Sequence, residues 1–336
     1  MMRIVTLCFA SATLVLVLGV ASVWSDLVRG LTEPMEAGPS ASKRVLTVPE
    51  GISAVGLWRT WANMGLVRRS WTVEVFLEHF AEPRHLRPGE YALSPTQSAL
   101  QLLAQVEAGD VVTYTVSIPE GARATEIAAR LDAASIVDAR AFLRAVRDPG
   151  LGRILGVEVV RLDGVLYPDV YAFAKNMAPE AVIMSMVQRL GEVLETLWPA
   201  AEARRLTLRP WIALASAIQR SPVPPKEWRL YSALLWTRRE MGYRLEPEEC
   251  PSTGPCALFG LERDFGRRWP EVEGAPGRSA LRAAVKPASG VPRFLVRTDD
   301  GRTVYCVDLD CLDEAMGRIR RPVPPIPPGL SPETDP

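Results

Sequence analysis

The chain opens with an apolar run that carries no charge, and this run predicts a membrane-spanning helix. Ile4–Trp24 is about 20 residues long, which is the length that a helix needs to cross a bilayer. Asp26 and Arg29 follow the run, and the short segment before it favours an orientation with the N-terminus inside the cell. A cleaved signal peptide ending before Ser22 is the alternative. We expect an uncleaved anchor over residues 1–25, because the run is long for a signal core.

An internal repeat follows a segment at residues 26–44 whose proline, glycine and serine content predicts a linker. Leu46–Val67 and Val116–Val137 align without a gap, so that Pro49-Glu50-Gly51 matches Pro119-Glu120-Gly121. Each copy predicts a strand, a tight turn and a helix with apolar residues at helical spacing. Two such units suit the binding of an extended polymer, and a simple packing lobe is the alternative.

The pattern changes after about Leu162 and predicts a mixed α+β fold. Leu162–Phe173, "LDGVLYPDVYAF", predicts an aromatic loop with one carboxylate, Asp169. Helical periodicity and a hairpin with an Asp-Gly turn account for the rest of this half. The predicted helices are "PEAVIMSMVQRLGEVLETLW", "RPWIALASAIQRS", "EWRLYSALLWTRREMG", "GRSALRAAVKP" and "CLDEAMGRIR", and the predicted hairpin strands are "RFLVRT" and "TVYCVDL". Residues 321–336 are rich in proline and predict a disordered tail.

Composition excludes several classes of function. The 336 residues carry a formal net charge of +0, which gives no basic face for nucleic acid. The chain has 2 histidines, His79 and His85, and both lie in its N-terminal half. Zinc chemistry and catalysis by a Ser-His or Cys-His pair are therefore not expected in the C-terminal half, and neither a metal nor a cofactor is expected.

Four cysteines lie in the segment that the anchor would place outside the cytoplasm. They form two close pairs, Cys250 with Cys256 and Cys306 with Cys311. An even number of cysteines in an oxidising compartment favours disulfides over a metal site. Pairing within each loop and pairing between the two loops both remain open.

Three motifs give the chain a family resemblance. "VSIPEG", "LDGVLYPDVYAF" and "ALRAAVKPA" with "RFLVRTDDGRTVY" resemble segments of the endolytic murein transglycosylases of the YceG-like family. The resemblance covers most of Val45–Ile319 and implies a LysM-like repeat lobe at residues 45–158 and a catalytic-type domain at residues 159–320. It also implies a single-pass protein of the inner membrane, anchored through residues 4–24, with the bulk of the chain in the periplasm. Peptidoglycan glycan strands and cell-wall synthesis proteins are the implied partners.

The resemblance places Gln219 at the position of the family's catalytic residue. In the family one glutamate protonates the glycosidic oxygen, and its carboxylate then takes the proton of the muramyl 6-hydroxyl to close a 1,6-anhydro ring. The family segment resembling "LASIVEKET" aligns with "LASAIQRSP", so the glutamate falls on Gln219. A primary amide can accept and donate hydrogen bonds, but it neither gives nor receives a proton near neutral pH.

Further departures fall at polar positions of the implied cleft. The family's asparagine in "YNRL" falls on Thr237, the asparagine of its "NPG" on Ala275, and the histidine of its "HxFS" strand on Thr303. Apolar framework positions persist. The resemblance therefore indicates a fold retained for something other than the family's chemistry.

Three functions remain open at this point. A silent homologue would bind glycan strands or act as a scaffold, and the predicted substrate-binding residues are Tyr167, Asp169, Tyr171, Glu246 and Glu248. An active lytic transglycosylase would need a substitute carboxylate, for which the candidates are Asp169, Glu227, Glu246 and Glu248. An exported structural protein without glycan contact is the third. We expect the silent homologue.

Overall fold

The structure is a computed structural model that describes both halves of the chain. The described residues are 2–36, 42–80, 85–155, 162–245, 256–257, 270, 272, 274–290, 292–298 and 302–317, with the backbone alone at 2–10 and 256. Contacts divide the chain into two units. Unit 1 comprises Met1–Thr115, Ala134–Ile136 and Ala172–Met177, and unit 2 comprises Val116–Ala133, Val137–Tyr171 and Ala178–Pro336. The domain boundaries that the sequence predicts stay predictions, as does the LysM-like character of the lobe.

Unit 1 combines a long N-terminal helix with a small sheet and three shorter helices. Its elements are α1 (Met2–Thr32), β1 (Arg44–Val48), α2 (Ala54–Asn63), α3 (Trp71–His79), β2 (Gly89–Leu93) and α4 (Ala99–Ala108). β1 and β2 pair antiparallel, with Val48 opposite Gly89. Leu46 and Val48 alternate inward and join a core that includes Trp58 and Trp61. A capping box of Ser98 and Gln101 begins α4.

The N-terminal helix is longer than the predicted anchor. Ser11–Thr32 is long and apolar enough to cross a membrane. The helix runs through the first part of the predicted linker because Leu27 and Leu31 pack against the core of unit 1, which stabilises the last two turns. The rest of the linker includes residues 37–41, which lie outside the described residues.

The predicted repeat has the same local structure in both copies. β1 leads through Gly51 into α2, and β3 (Tyr114–Ser117) leads through Gly121 into α5 (Ala124–Ala133). Both turn glycines have positive φ, +75° at Gly51 and +78° at Gly121. Glycine populates this region without the clash that a Cβ causes, so the repeated Pro-Glu-Gly turn has a physical reason.

Unit 2 is mainly helical and holds a three-stranded antiparallel sheet in the order β5-β6-β7. β3 and β4 form a separate two-stranded sheet. Besides α5, the remaining elements are α6 (Ala139–Val146), α7 (Pro149–Ile154), β4 (Val170–Phe173), α8 (Pro179–Glu195), α9 (Trp198–Ala203), α10 (Leu208–Gln219), α11 (Trp228–Glu240), β5 (Cys256–Ala257), α12 (Arg278–Val285), β6 (Phe294–Arg297), β7 (Thr303–Cys306) and α13 (Leu309–Ala315), with 3₁₀ turns at Asp163–Val165 and Pro225–Glu227.

The mixed α+β fold is therefore confirmed, and one local prediction needs correction. The predicted aromatic loop contains a 3₁₀ turn at Asp163–Val165 and strand β4, whose burial alternates along Val170–Phe173. A strand of four residues is stabilised by its partner, here β3, and that partner is remote in the sequence. The predicted hairpin is present, with β6 and β7 antiparallel and Phe294 opposite Cys306. The predicted tail at 321–336 lies outside the described residues.

Side chains from α10, from α11 and from the residue after α9 donate hydrogen bonds to carbonyls of α12. The indole of Trp211 in α10 donates to Leu281 O over 2.9 Å, and that of Trp236 in α11 donates to Ala284 O over 2.9 Å. Arg204, next to α9, donates to Val285 O over 2.8 Å. The carbonyls of Ala284 and Val285 lie in the last turn, where the helix offers them no N–H partner, and a cation there also complements the helix dipole. The contacts fix α12 against α10, with the N-terminus of α12 at Gln219.

Candidate functional site

Gln219 is the last residue of a buried helix. α10 begins at Leu208 with Pro210 in its first turn, where a missing N–H costs nothing. Most of the helix is buried, and Gln219 itself is half-buried. Gln219 is therefore a partly exposed polar side chain at the end of an apolar, buried helix of unit 2.

The first backbone N–H of the α12 terminus holds the amide of Gln219. Gly277, the N-cap residue of α12, donates its N–H to Gln219 Oε1 over 3.1 Å. Backbone N–H groups at a helix N-terminus lack partners within the helix and carry partial positive charge. A carboxylate would suit this position, and the amide oxygen of Gln219 occupies it instead.

The Pro-Glu-Gly turn of the second repeat closes the other side of the site. Gly121 donates its N–H to Ala275 O over 2.8 Å, and Ala275 donates its N–H to Ala122 O over 3.1 Å. A Cβ on Gly121 would lie 3.5 Å from Gln219 Cγ. The turn before α5 and the segment before α12 are thus joined by reciprocal backbone hydrogen bonds, and both lie beside the amide.

A carboxylate lies against the residue that binds Gln219. A Cβ on Gly277 would overlap the carboxyl group of Glu120, so that group packs directly on the α-carbon of Gly277. Glu120 is solvent-exposed. Glu120 is not among the candidate carboxylates that the sequence predicts. The repeat marked the turn, but the approach of the turn to Gly277 is a contact between distant segments.

Three arginines adjoin the residues of this site in the sequence. Arg220 follows Gln219, Arg278 follows Gly277, and Arg123 lies in the turn after Glu120, and all three are exposed. Although Arg220 is exposed, partial loss of water around its guanidinium group lowers its pKa, and the charge of Arg123 lowers it further. The site therefore has one amide and one carboxylate, with exposed arginines on neighbouring residues, which suits a polar ligand that carries anionic groups.

The predicted substrate-binding residues of the tyrosine-rich segment lie in the core of unit 2. Tyr167 and Tyr171 are 7% and 8% exposed, and the Tyr171 hydroxyl donates to Tyr167 O over 2.7 Å. Burial raises the pKa of both phenols. Their ring faces are packed against protein, so stacking on a sugar would require the segment to open, and their role in binding stays a prediction.

Asp169 forms an ion pair with Arg189. Its Oδ2 accepts from Arg189 Nε over 2.7 Å, and its Oδ1 accepts from the N–H of Val170 over 2.8 Å. The hydrogen bond from Arg189 lowers the pKa of the Asp169 carboxyl, and the bond from Val170 lowers it further. A carboxyl held in its ionised form is poorly suited to protonate a glycosidic oxygen. Its backbone also supports the turn, since Ile118 donates its N–H to Asp169 O over 2.9 Å.

Glu227 lies in a separate group of hydroxyls. Its Oε2 accepts from Thr303 Oγ1 over 2.7 Å, which links the 3₁₀ turn before α11 to β7. Burial raises the pKa of Tyr305, and the charge of Glu227 raises it further. The contacts thus join Glu227 to β7, whereas Gln219 is joined to α12. Glu246 and Glu248 lie outside the described residues, so their predicted roles stay predictions.

One cysteine pairing is visible. Cys306, at the end of β7, is bonded to Cys311 in α13, with their α-carbons 5.4 Å apart. The sequence left open whether the cysteines pair within each loop or between the two loops, and this bond is a pairing within one loop. Cys250 and the side chain of Cys256 lie outside the described residues.

Comparisons with known proteins identify the family. The model of the YceG-like family matches residues 46–252, which is more than half of the chain, and the chain therefore belongs to the YceG-like family. This family is associated with murein transglycosylase activity. The chain is also similar to a solved yceG-like protein from Listeria monocytogenes, with 16% identity over 82% of this chain and 99% of that one and a TM-score of 0.48. A comparison with curated proteins gave no match.

Proposed function

We propose that this protein is a membrane-anchored member of the YceG-like family that binds peptidoglycan glycan strands during cell-wall assembly without cutting them. Its anchor would be α1, as a single pass through the cytoplasmic membrane, with the bulk of the chain in the periplasm. In this role it would hold glycan strands near the membrane, alone or together with cell-wall synthesis proteins.

The hydrogen bond between Gly277 N–H and Gln219 Oε1 is the observation that carries the proposal. The family reaction needs one group that donates a proton and later accepts one, and an amide does neither. The amide of Gln219 accepts a hydrogen bond here and cannot supply the acid–base role that the family resemblance predicts for this position. Losing such a group typically costs about 10²–10⁴-fold in rate.

The charges around the site support a glycan-strand ligand. Arg123, Arg220 and Arg278 are exposed beside Gln219 and Glu120. Peptidoglycan strands offer sugar hydroxyls to the polar groups and stem-peptide carboxylates to the guanidinium groups. Arginine binds carboxylates through paired N–H donors, so these residues suit the anionic part of such a strand.

Co-sedimentation tests the binding. The full-length protein in detergent would be incubated with insoluble peptidoglycan and with cellulose as a neutral glycan, and pelleted protein would be measured. We expect retention on peptidoglycan that falls about 5- to 30-fold when Arg220 and Arg278 are both changed to Gln, since a hydrogen bond to a charged group contributes about 1.5–3 kcal/mol and the exposed position lowers that value. Arg153→Gln and Arg302→Gln, at exposed positions in α7 and before β7, are the matched control. Equal recovery with and without peptidoglycan would favour a protein that does not contact glycan.

The position of Glu120 favours a second candidate function. Its carboxyl group packs on Gly277, the residue that binds Gln219, so a carboxylate stands beside the position that the family resemblance predicts to be catalytic. An active lytic transglycosylase could use this group in place of the missing glutamate. Glu120→Gln would then abolish the formation of 1,6-anhydro-muramyl ends. Glu50→Gln, at the matching position of the first repeat, would leave it unchanged.

A further inference from the structure

The C-terminal part of α1 is built into unit 1. Ser70 and Thr72, at the start of α3, both donate their hydroxyls to Asp26 Oδ2, each over 2.7 Å. Ser70 also caps α3, because its Oγ accepts from the N–H of Val73 over 3.3 Å. One carboxylate of the anchor helix is thereby hydrogen-bonded to the N-terminus of α3.

Close packing continues this contact along the same face of α1. A Cβ on Gly30 would lie 2.7 Å from Val73 Cγ2, so only glycine permits this approach without a shift of the neighbour. Leu27 and Leu31 pack against the core of unit 1. The contacts recur every three to four residues from Asp26 to Leu31, which is the spacing of one helix face. The anchor helix and unit 1 thus meet through a packed face.

The packed face sets the distance between α3 and the end of the apolar run. That run ends at Trp24, about 3 Å of helix rise before Asp26. Ser70 contacts Asp26 directly, and Trp71 is the next residue, about 3.8 Å further by its α-carbon. Because Leu27, Gly30 and Leu31 pack on unit 1, α1 would leave the bilayer near Trp24, before the end of the apolar stretch Ser11–Thr32, and Trp71 lies close to that point.

The region where the end of the apolar run of α1 meets the start of α3 is called here the corner of unit 1. Its side chains have the character of a membrane interface. Trp24 and Trp71 are each 66% exposed. Arg29 and Arg68 are exposed as well, and both lie within electrostatic range of Asp26. Tryptophan is enriched where a protein crosses from hydrocarbon to headgroups, and cations there attract anionic lipid. An exposed indole in water has no comparable advantage.

We propose that unit 1 rests on the bilayer through this corner, with Trp71 inserted among the lipid headgroups beside Trp24. The proposal rests on the membrane anchoring proposed above. The occupant of the surface is lipid, because the surface continues the face of a helix that is long and apolar enough to cross a membrane. Unit 1 would then be held at the membrane surface by a packed corner in addition to the covalent anchor.

Quenching of tryptophan fluorescence by brominated lipid tests the proposal. Full-length protein would be reconstituted into vesicles of phosphatidylethanolamine and phosphatidylglycerol, with or without bromine near the carbonyl end of the acyl chains. Trp71→Phe should remove about as much of the quenched intensity as Trp24→Phe does, because both indoles would lie at the interface. Trp198→Phe, which removes an indole that is 46% exposed in unit 2, is the control and should leave the quenched intensity unchanged.

Alkaline extraction and a second variant separate the possible failures. Resistance of the reconstituted protein to alkaline extraction tests the anchor itself, and loss of protein from the vesicles would overturn the anchoring and the corner together. A retained protein whose quenching is unaffected by Trp71→Phe would overturn the corner alone. If Trp71→Phe fails to fold by circular dichroism, Asp26→Ala takes its place. It keeps both indoles and breaks the contact to α3, so we expect it to lower the quenching without releasing the protein.

Discussion

Two glycines in the segment before α12, Gly274 and Gly277, allow the geometry of the site to be tested through stability. A Cβ on Gly274 would overlap the backbone carbonyl oxygen of Gly121. A Cβ on Gly277 would overlap the Glu120 carboxyl group, which is the far end of an exposed, flexible side chain. The same chemical change thus meets backbone in one case and a mobile group in the other.

Gly274→Ala and Gly277→Ala should differ in stability because the backbone at Gly121 cannot move aside easily, whereas the side chain of Glu120 can. Gly274→Ala must separate the two segments and so break the reciprocal bonds that Gly121 and Ala122 make with Ala275. Each bond contributes about 0.5–1.5 kcal/mol, so the variant should lose about 1–3 kcal/mol of unfolding free energy. At Gly277 the backbone, with φ −78° and ψ 172°, accepts alanine, and only Glu120 moves. That variant should lose at most about 0.5 kcal/mol, as surface changes usually do.

Urea unfolding and hydrogen exchange measure both effects. The unfolding midpoint should fall for Gly274→Ala, and exchange at the amides of Gly121 and Ala275 should become about 5- to 150-fold faster, which corresponds to 1–3 kcal/mol. Gly191→Ala is the control, because this helical glycine has open space around it and should gain about 0.5–1 kcal/mol. Equal losses of unfolding free energy in Gly274→Ala and Gly277→Ala would refute the contact between the flexible Glu120 side chain and the α-carbon of Gly277.

Three further predictions concern the surroundings of the site. The pKa of Asp169 is lowered by Arg189 in the folded protein, so its stabilising contribution is complete above the ordinary value of 3.8 and is lost as the pH falls through the lower folded value. Asp169→Asn should therefore flatten the loss of stability in acid, and an unchanged acid limb in thermal unfolding would contradict this. Trp211→Phe removes the indole donor to α12 and should cost about 1–3 kcal/mol by urea unfolding; a neutral variant would show that the bond is dispensable. Reduction of the bond between Cys306 and Cys311 should cost about 2 kcal/mol in thermal unfolding, matched by Cys311→Ser, whereas no effect of reductant would argue against that bond.

Local patterns predicted most helices of unit 2 and both copies of the repeat. Apolar spacing and turn glycines act within a few residues, so α8, α10 and the turn at Gly121 could be anticipated from the sequence. Strand β4 could not be, because its few residues depend on pairing with β3. The end of helix α1 also could not be anticipated, since the helix continues past the predicted anchor to Thr32 on packing that composition does not show.

The candidate site could likewise be predicted only in part, because some of its features are local in the sequence and others depend on tertiary contacts. The family resemblance singled out Gln219 from one segment, and the structure gives that side chain a defined partner in Gly277. Glu120 and Glu50 occupy matching positions in two similar motifs, and nothing local distinguishes them. Only the fold brings Glu120 onto Gly277. The burial of Tyr167 and Tyr171 is likewise a tertiary property, since an aromatic segment has the same sequence whether its rings face solvent or the core.

Formation of 1,6-anhydro-muramyl ends tests the central claim most directly. Full-length wild-type protein, Gln219→Glu and the exposed control Gln188→Glu would each be incubated with uncrosslinked glycan strands, and the products would be identified by mass spectrometry. We expect no such ends from the wild-type protein or the control, and we expect them from Gln219→Glu, because a carboxyl beside the N–H of Gly277 restores a group that can donate and accept a proton. Turnover by the wild-type protein would contradict the account.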